Sequence, residues 1–106
     1  MMMTEHFRME RAGRYAYIAT TIGIGKVIAS HKQETNKWGT DPCIVNITDT
    51  GVAVVIRPED GAIVTMYILS IGEARRYFAK ALLPMVLEAV IRRNMRKGYH
   101  EMQNNF

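Results

Sequence analysis

The chain has 106 residues, 48% of them hydrophobic and 23% charged, a size and composition that fit one folded domain and exclude a disordered chain. The formal charge of +4 favours an anionic partner without requiring one. The single cysteine, Cys43, excludes an internal disulfide, and no apolar run reaches the ~18 residues of a membrane span. The first residues, MMMTEHFRME, carry charges where a secretion signal needs an apolar stretch. The expectation is a cytoplasmic protein without membrane contact.

In chain order, residues 1–7 show no pattern and are expected to be flexible. From Arg8 to Ile22, Ala12, Tyr15, Ala16, Ala19 and Ile22 recur at spacings of three and four, as on one face of a helix. Tyr17 and Ile18 broaden that face. A strand over 15–22 is the alternative, because Tyr, Ile and Thr also suit strands. Gly23 directly after Ile22 favours the helix, as a residue that ends it. Ile24 to Ser30 then reads as a short strand, and the polar 31–41, HKQETNKWGTD, as a surface loop. Gly23-Ile24-Gly25-Lys26 resembles a phosphate loop only in part, lacking the full spacing, and reads as a turn.

The stretch from Cys43 to Leu69 reads as three antiparallel strands joined by two glycine-marked turns. A three-residue loop at 59–61 pairs 58 with 62, 57 with 63, 55 with 65 and 53 with 67. One face then collects Val52, Val54, Ile56, Val64, Met66 and Ile68. A two-residue Thr50-Gly51 turn pairs 47 with 54 and 45 with 56, which adds Val45 and Ile47 to that face. Asn46, Arg57, Thr65 and Tyr67 fall on the opposite, amphipathic face.

Residues 71–97 are helical in composition, and Pro84 divides them into helices at about 72–82 and 84–97. Phe78, Leu82, Met85, Val86, Ala89, Val90 and Met95 are expected to cover the apolar sheet face. Gly98 ends the helix, and residues 99–106 are expected to form a flexible tail. The fold expected is one α+β domain over 1–106. It has a twisted antiparallel sheet of about four strands, an N-terminal helix and two C-terminal helices, the helices covering one face.

Two groups of residues suggest chemistry. Arg57, Thr65 and Tyr67 on the open face could hold a phosphate through a cation and two hydroxyls. His31 could supply acid–base chemistry, with Lys37 or Arg57 as the charge beside the phosphate and Trp38 stacking on a base. Arg92, Arg93, Arg96 and Lys97 share one helical face and form a candidate phosphate-contacting stripe, with Arg75, Arg76 and Lys80 on the preceding helix. Plainer readings stay open. Thr65 and Tyr67 are good strand formers, Arg57 a solvated end residue, the loop a surface loop anchored by Trp38, and the basic stripe an ordinary solvated face. His6, His31 and His100 do not have metal-ligand spacing, and no metal or cofactor is expected.

The string DTGVAVVIRPEDGAIVTMYIL, with Val64, Thr65 and Tyr67 in a V-T-x-Y pattern, resembles the strand-turn-strand signature of the RelE/barnase-like ribonuclease toxin superfamily. It is also similar to small phage or prophage proteins near that group, as is the text TTIGI at 20–24. The resemblance implies RNA binding with metal-independent endoribonuclease activity and an antitoxin or other protein partner. Arg57, Thr65, Tyr67 and His31 are the residues that match. The long C-terminal helices depart from a minimal toxin. They leave the alternative of a non-enzymatic phage or prophage accessory protein acting through protein partners or self-association.

Overall fold

The computed structural model describes residues 3–34 and 42–96. Helix α1 spans Glu5–Tyr17 and runs into a π-helical turn at Ile18–Ile22. Strands β1 (Val27–Gln33), β2 (Cys43–Thr48), β3 (Val52–Ile56) and β4 (Ile63–Ile68) follow. Helix α2 (Ile71–Tyr77), a 3-10 turn at Lys80–Leu82 and helix α3 (Met85–Arg96) complete the fold. The strands form one antiparallel sheet in the order β1-β2-β3-β4, so the α+β architecture matches the sequence expectation.

Helices cover both faces of the sheet rather than one. Alternate side chains of β3 enter separate cores: Val52 and Val54 pack with Phe7 and Ile18 of the N-terminal layer, whereas Ala53 and Val55 pack with Ala74, Leu83, Leu87 and Ile91. Every residue from Val52 to Val55 is therefore buried. The expected apolar face, with Val52, Val54, Ile56, Met66 and Ile68, is covered by α1 and not by the C-terminal helices.

The β2–β3 turn sets this partition. It is one residue longer than the two-residue turn expected, with Asp49, Thr50 and Gly51 between Thr48 and Val52. Gly51 takes φ +81, a conformation that glycine adopts without steric cost, and its N–H donates to the Thr48 carbonyl at 3.1 Å. Val45 therefore pairs with Val55 and Ile47 with Ala53. A one-residue change in register turns a whole strand over, so Val45 and Ile47 enter the C-terminal core.

In the second hairpin, 55 pairs with 65 and 53 with 67 as expected. Near the turn, Ile56 pairs with Ile63 and the Arg57 N–H donates to the Ala62 carbonyl at 2.9 Å, which leaves residues 58–61 as a four-residue loop. An irregularity in the ladder then restores the expected register at Val55. It sends Ile63 to the α1 core and Val64 to the other one. Pro58 falls in the loop, where its missing N–H costs the ladder nothing.

Helix α1 begins before Arg8. The Thr4 hydroxyl accepts from the Phe7 N–H at 3.3 Å as an N-cap, and Phe7 is fully buried, so residues 3–7 belong to the fold. Ala12, Ala16 and Ala19 are exposed, whereas Phe7, Arg14 and Ile18 are buried. Arg14 lies on the buried side because its guanidinium donates to the Met66 carbonyl at 3.3 Å. Together with the Thr4 N–H on the Ile63 carbonyl at 2.8 Å, it covers an edge that would otherwise be open.

Gly23-Ile24-Gly25-Lys26 is a turn clamped onto the β2–β3 corner. The Thr50 hydroxyl lies 2.8 Å from the carbonyls of both Gly23 and Ile24, and the Lys26 N–H donates to Asp49 at 2.9 Å. The following strand starts at Val27 rather than Ile24 and continues to Gln33, so His31 is a strand residue rather than part of a loop. The rest of the expected loop, 35–41, lies outside the described residues, as does the tail after Gly98.

Candidate functional site

The structure does not bring the expected catalytic residues onto one open face. Thr65 is 1% exposed and Tyr67 5% exposed, both beneath the C-terminal layer. The Thr65 hydroxyl is buried without a hydrogen-bond partner, and no phosphate can reach it there. Burial, then the Glu73 carboxylate and the Tyr77 hydroxyl nearby, push the Tyr67 phenol far above its ordinary range. Buried beneath the C-terminal layer, it is a structural hydroxyl. Asn46 pairs with Val54 and shares the α1 side of the sheet, where its Oδ1 accepts from Ser30. It has left the face that carries Thr65.

His31 lies on β1 in register with Val45, and so points to the same side as Thr65. Its ring centroid is 5.0 Å from that of Tyr77 and 5.8 Å from that of Phe78, and Nε2 is buried without a hydrogen-bond partner. Gln33 donates to the Tyr77 hydroxyl at 3.1 Å. His31 and Tyr67 thus meet the same residue, Tyr77, on one face of the sheet, from its two edge strands. The cluster pins α2 to the sheet and presents no atom pair to a substrate.

Arg57 is committed to its own turn. Its guanidinium donates to both Asp60 carboxylate oxygens and lies 3.7 Å from Glu59. Arg57 first, then the Ala62 N–H, hold the Asp60 carboxyl down to about 2 from its ordinary 3.8. A lowered carboxylate stabilises the fold above its unfolded value, and that contribution is lost as pH falls through about 2. We expect the Asp60 carboxyl resonance to titrate near 2 in the native protein and to return towards 3.8 in Arg57→Ala, read by carbon-detected NMR. Beside this turn, Lys32, Pro42, Pro58 and Glu59 line an open cleft of about 400 Å³. Lys32 is drawn towards Glu34 at 3.6 Å.

The basic stripe is the group of expected residues that the structure leaves available. Arg92, Arg93 and Arg96 are all exposed on the outer side of α3, and Arg75, Arg76 and Lys80 are exposed on and after α2. Residues 71–96 carry six cations against two carboxylates, a net +4 equal to the formal charge of the whole chain. Both carboxylates are engaged. Glu88 lies 2.9 Å from Arg92 and 3.8 Å from Arg75, and Glu73 faces Tyr67. Among the described residues, Arg76, Lys80, Arg93 and Arg96 have no carboxylate within 4 Å. Lys37, Trp38 and Lys97, also expected to bind nucleic acid, lie outside the described residues.

Helix α3 meets the sheet through a different face from the one expected. Leu83, Leu87 and Ile91 are buried, with Asn94 in line, while Leu82, Met85, Val86 and Ala89 are exposed. Asn94 could not be recognised as a core residue from its type. Its amide donates to the Thr50 carbonyl at 3.2 Å, a role that only the docked β2–β3 turn creates.

Comparison with known proteins yielded no match to a family model, to a curated protein or to a solved structure. Among the described residues, no helix is long and apolar enough to cross a membrane.

Proposed function

We propose that this is a cytoplasmic RNA-binding domain whose contact surface is the outer side of the α2–α3 layer. The observation that carries the reading is the concentration of the chain's whole net charge on residues 71–96, with Arg76, Lys80, Arg93 and Arg96 free of carboxylates among the described residues. Cations held on a helix face and unspent on ion pairs are available to phosphates, and each phosphate neutralised releases counterions. Cleavage is left out of the proposal. Thr65 and Tyr67 are buried, Arg57 is held by Asp60, and His31 is stacked beneath α2.

The test is anisotropy of a labelled single-stranded RNA across a salt series. Affinity should fall as salt rises, and Arg93→Ala with Arg96→Ala should weaken binding about tenfold and lower the logarithmic salt slope by about 1.4, at ~0.7 per phosphate contact on a single strand. An affinity indifferent to salt, or one that the double variant leaves unchanged, would remove the reading.

A further inference from the structure

The side chains of the α2–α3 layer limit what its outer surface can recognise. The aromatic residues of 71–96 are Tyr77 and Phe78, and both pack inwards, with ring centroids 5.0 and 5.8 Å from that of His31. The Tyr77 hydroxyl is taken by Gln33 at 3.1 Å. Asn94, the one side-chain amide of the segment, is 1% exposed and donates to the Thr50 carbonyl. The segment holds no serine, threonine, histidine or glutamine. Between Lys80 and Arg92 in the chain, the large exposed side chains are Leu82, Met85 and Val86, all aliphatic. The polar groups that face outwards are therefore charged ones, with no aromatic plane beside them.

We infer that the ligand of this surface is double-helical RNA, held through its phosphates and without reading base sequence. The inference rests on the RNA-binding reading and names the form of RNA. A single strand rewards a protein that stacks on its unpaired bases or bonds to their edges. The α2–α3 surface offers no aromatic plane for the first and only cations for the second. Charge is then what ranks its ligands. A double helix carries one charge per roughly 1.7 Å of axis, against roughly 3.4 Å for one strand, and each phosphate neutralised on it releases more counterion. Arginine can fork onto guanine, but the major groove of an A-form duplex is too deep and narrow to be read by side chains. Base sequence therefore stays unread.

The size of the preference follows from the cations. Arg76, Lys80, Arg93 and Arg96 have no carboxylate within 4 Å among the described residues, while Arg75 and Arg92 share Glu88. With one phosphate for each of the first four, the logarithmic salt slope is about 3.6 on a duplex and about 2.8 on a single strand, at ~0.9 and ~0.7 per phosphate. Lines of these slopes meet near ~1 M salt, where the counterion contribution vanishes, and stand about sixfold apart at ~0.1 M. Stacking on bases would instead leave single-strand affinity that persists at high salt.

Anisotropy of the full chain with three labelled RNAs across one salt series tests it: a duplex, one of its strands in a sequence that does not self-pair, and a duplex of scrambled sequence. The expected result is a duplex bound about sixfold more tightly than its strand near ~0.1 M salt, with the steeper slope, and a scrambled duplex bound equally. Arg76→Ala with Lys80→Ala should lower the duplex slope by about 1.8, as should Arg93→Ala with Arg96→Ala. The far-UV spectrum should stay unchanged in both variants, because all four side chains are exposed. A strand bound as tightly as the duplex, or a duplex affinity that changes with sequence, would overturn the inference and leave the RNA-binding reading standing. A duplex slope that the Arg76 and Lys80 substitutions leave unchanged would also overturn it. No salt-dependent affinity for either form would remove the RNA-binding reading, and the inference with it.

Discussion

Replacing Phe7 with alanine should destabilise the protein by about 3–5 kcal/mol, enough to remove a large part of the stability of a domain this size. The side chain is fully buried and belongs to the core with Val52, Met66 and Ile68. Its ring meets that of Tyr15 edge-on, centroids 6.5 Å apart. Among the α1 residues of the first two turns with a described side chain, it is the one that enters the core. Urea denaturation monitored by far-UV circular dichroism measures the loss. A change under 1 kcal/mol would mean that residues 3–7 do not belong to the folded unit.

The counterpart on the other face is Ile91→Ala, expected to cost about 2–5 kcal/mol in the same measurement. Ile91 is fully buried and packs with Leu87, Val45, Ile47 and Ala53. It also lies against Gly51, where an added β-carbon would stand 3.3 Å from its Cγ1. Met85→Ala on the same helix should cost a small fraction of this, because Met85 is exposed. The contrast reports directly which face of α3 meets the sheet. Equal losses from the two substitutions would reverse the assignment of that face.

That assignment shows where the sequence was informative and where it was not. The three strands of 43–69, the places of the turns between them and their antiparallel order follow from alternation and from Gly51 and Gly61, which both take positive φ, although each turn is one residue longer than expected. Layering was not legible. Val52-Ala53-Val54-Val55 offers an apolar residue to each side in turn, so the pattern suits one covered face or two. The length of the β2–β3 turn then decided which core received Val45 and Ile47, and one residue was enough to reverse it. Helix α3 has two apolar faces at helical spacing, Leu83-Leu87-Ile91 and Leu82-Met85-Val86-Ala89. The face that docks includes a polar Asn94, as the buried face of α1 includes Arg14. Both polar residues are spent on backbone carbonyls of distant segments, which the chain order does not reveal.

The candidate site followed the same logic. Thr65 and Tyr67 took the expected positions on β4, but their access depended on what covered that face. The basic stripe depended only on the spacing of Arg92, Arg93 and Arg96 along one helix, and that geometry was recovered. Charge on a helix survives errors in strand register, because exposed arginines need no partner across the sheet to hold their place.

Thr50 connects these layers. Its hydroxyl reaches the Gly23 and Ile24 carbonyls that end the N-terminal helical segment, and its own carbonyl receives the Asn94 amide from the other side of the sheet. Helical segments on opposite faces of the sheet are thereby latched to one residue at one corner. Fraying of α3 at Asn94 would release the corner that also fastens the end of the first helical segment. The two outer layers should consequently open as a single cooperative unit, with amide exchange at both ends of the sandwich governed by the same event.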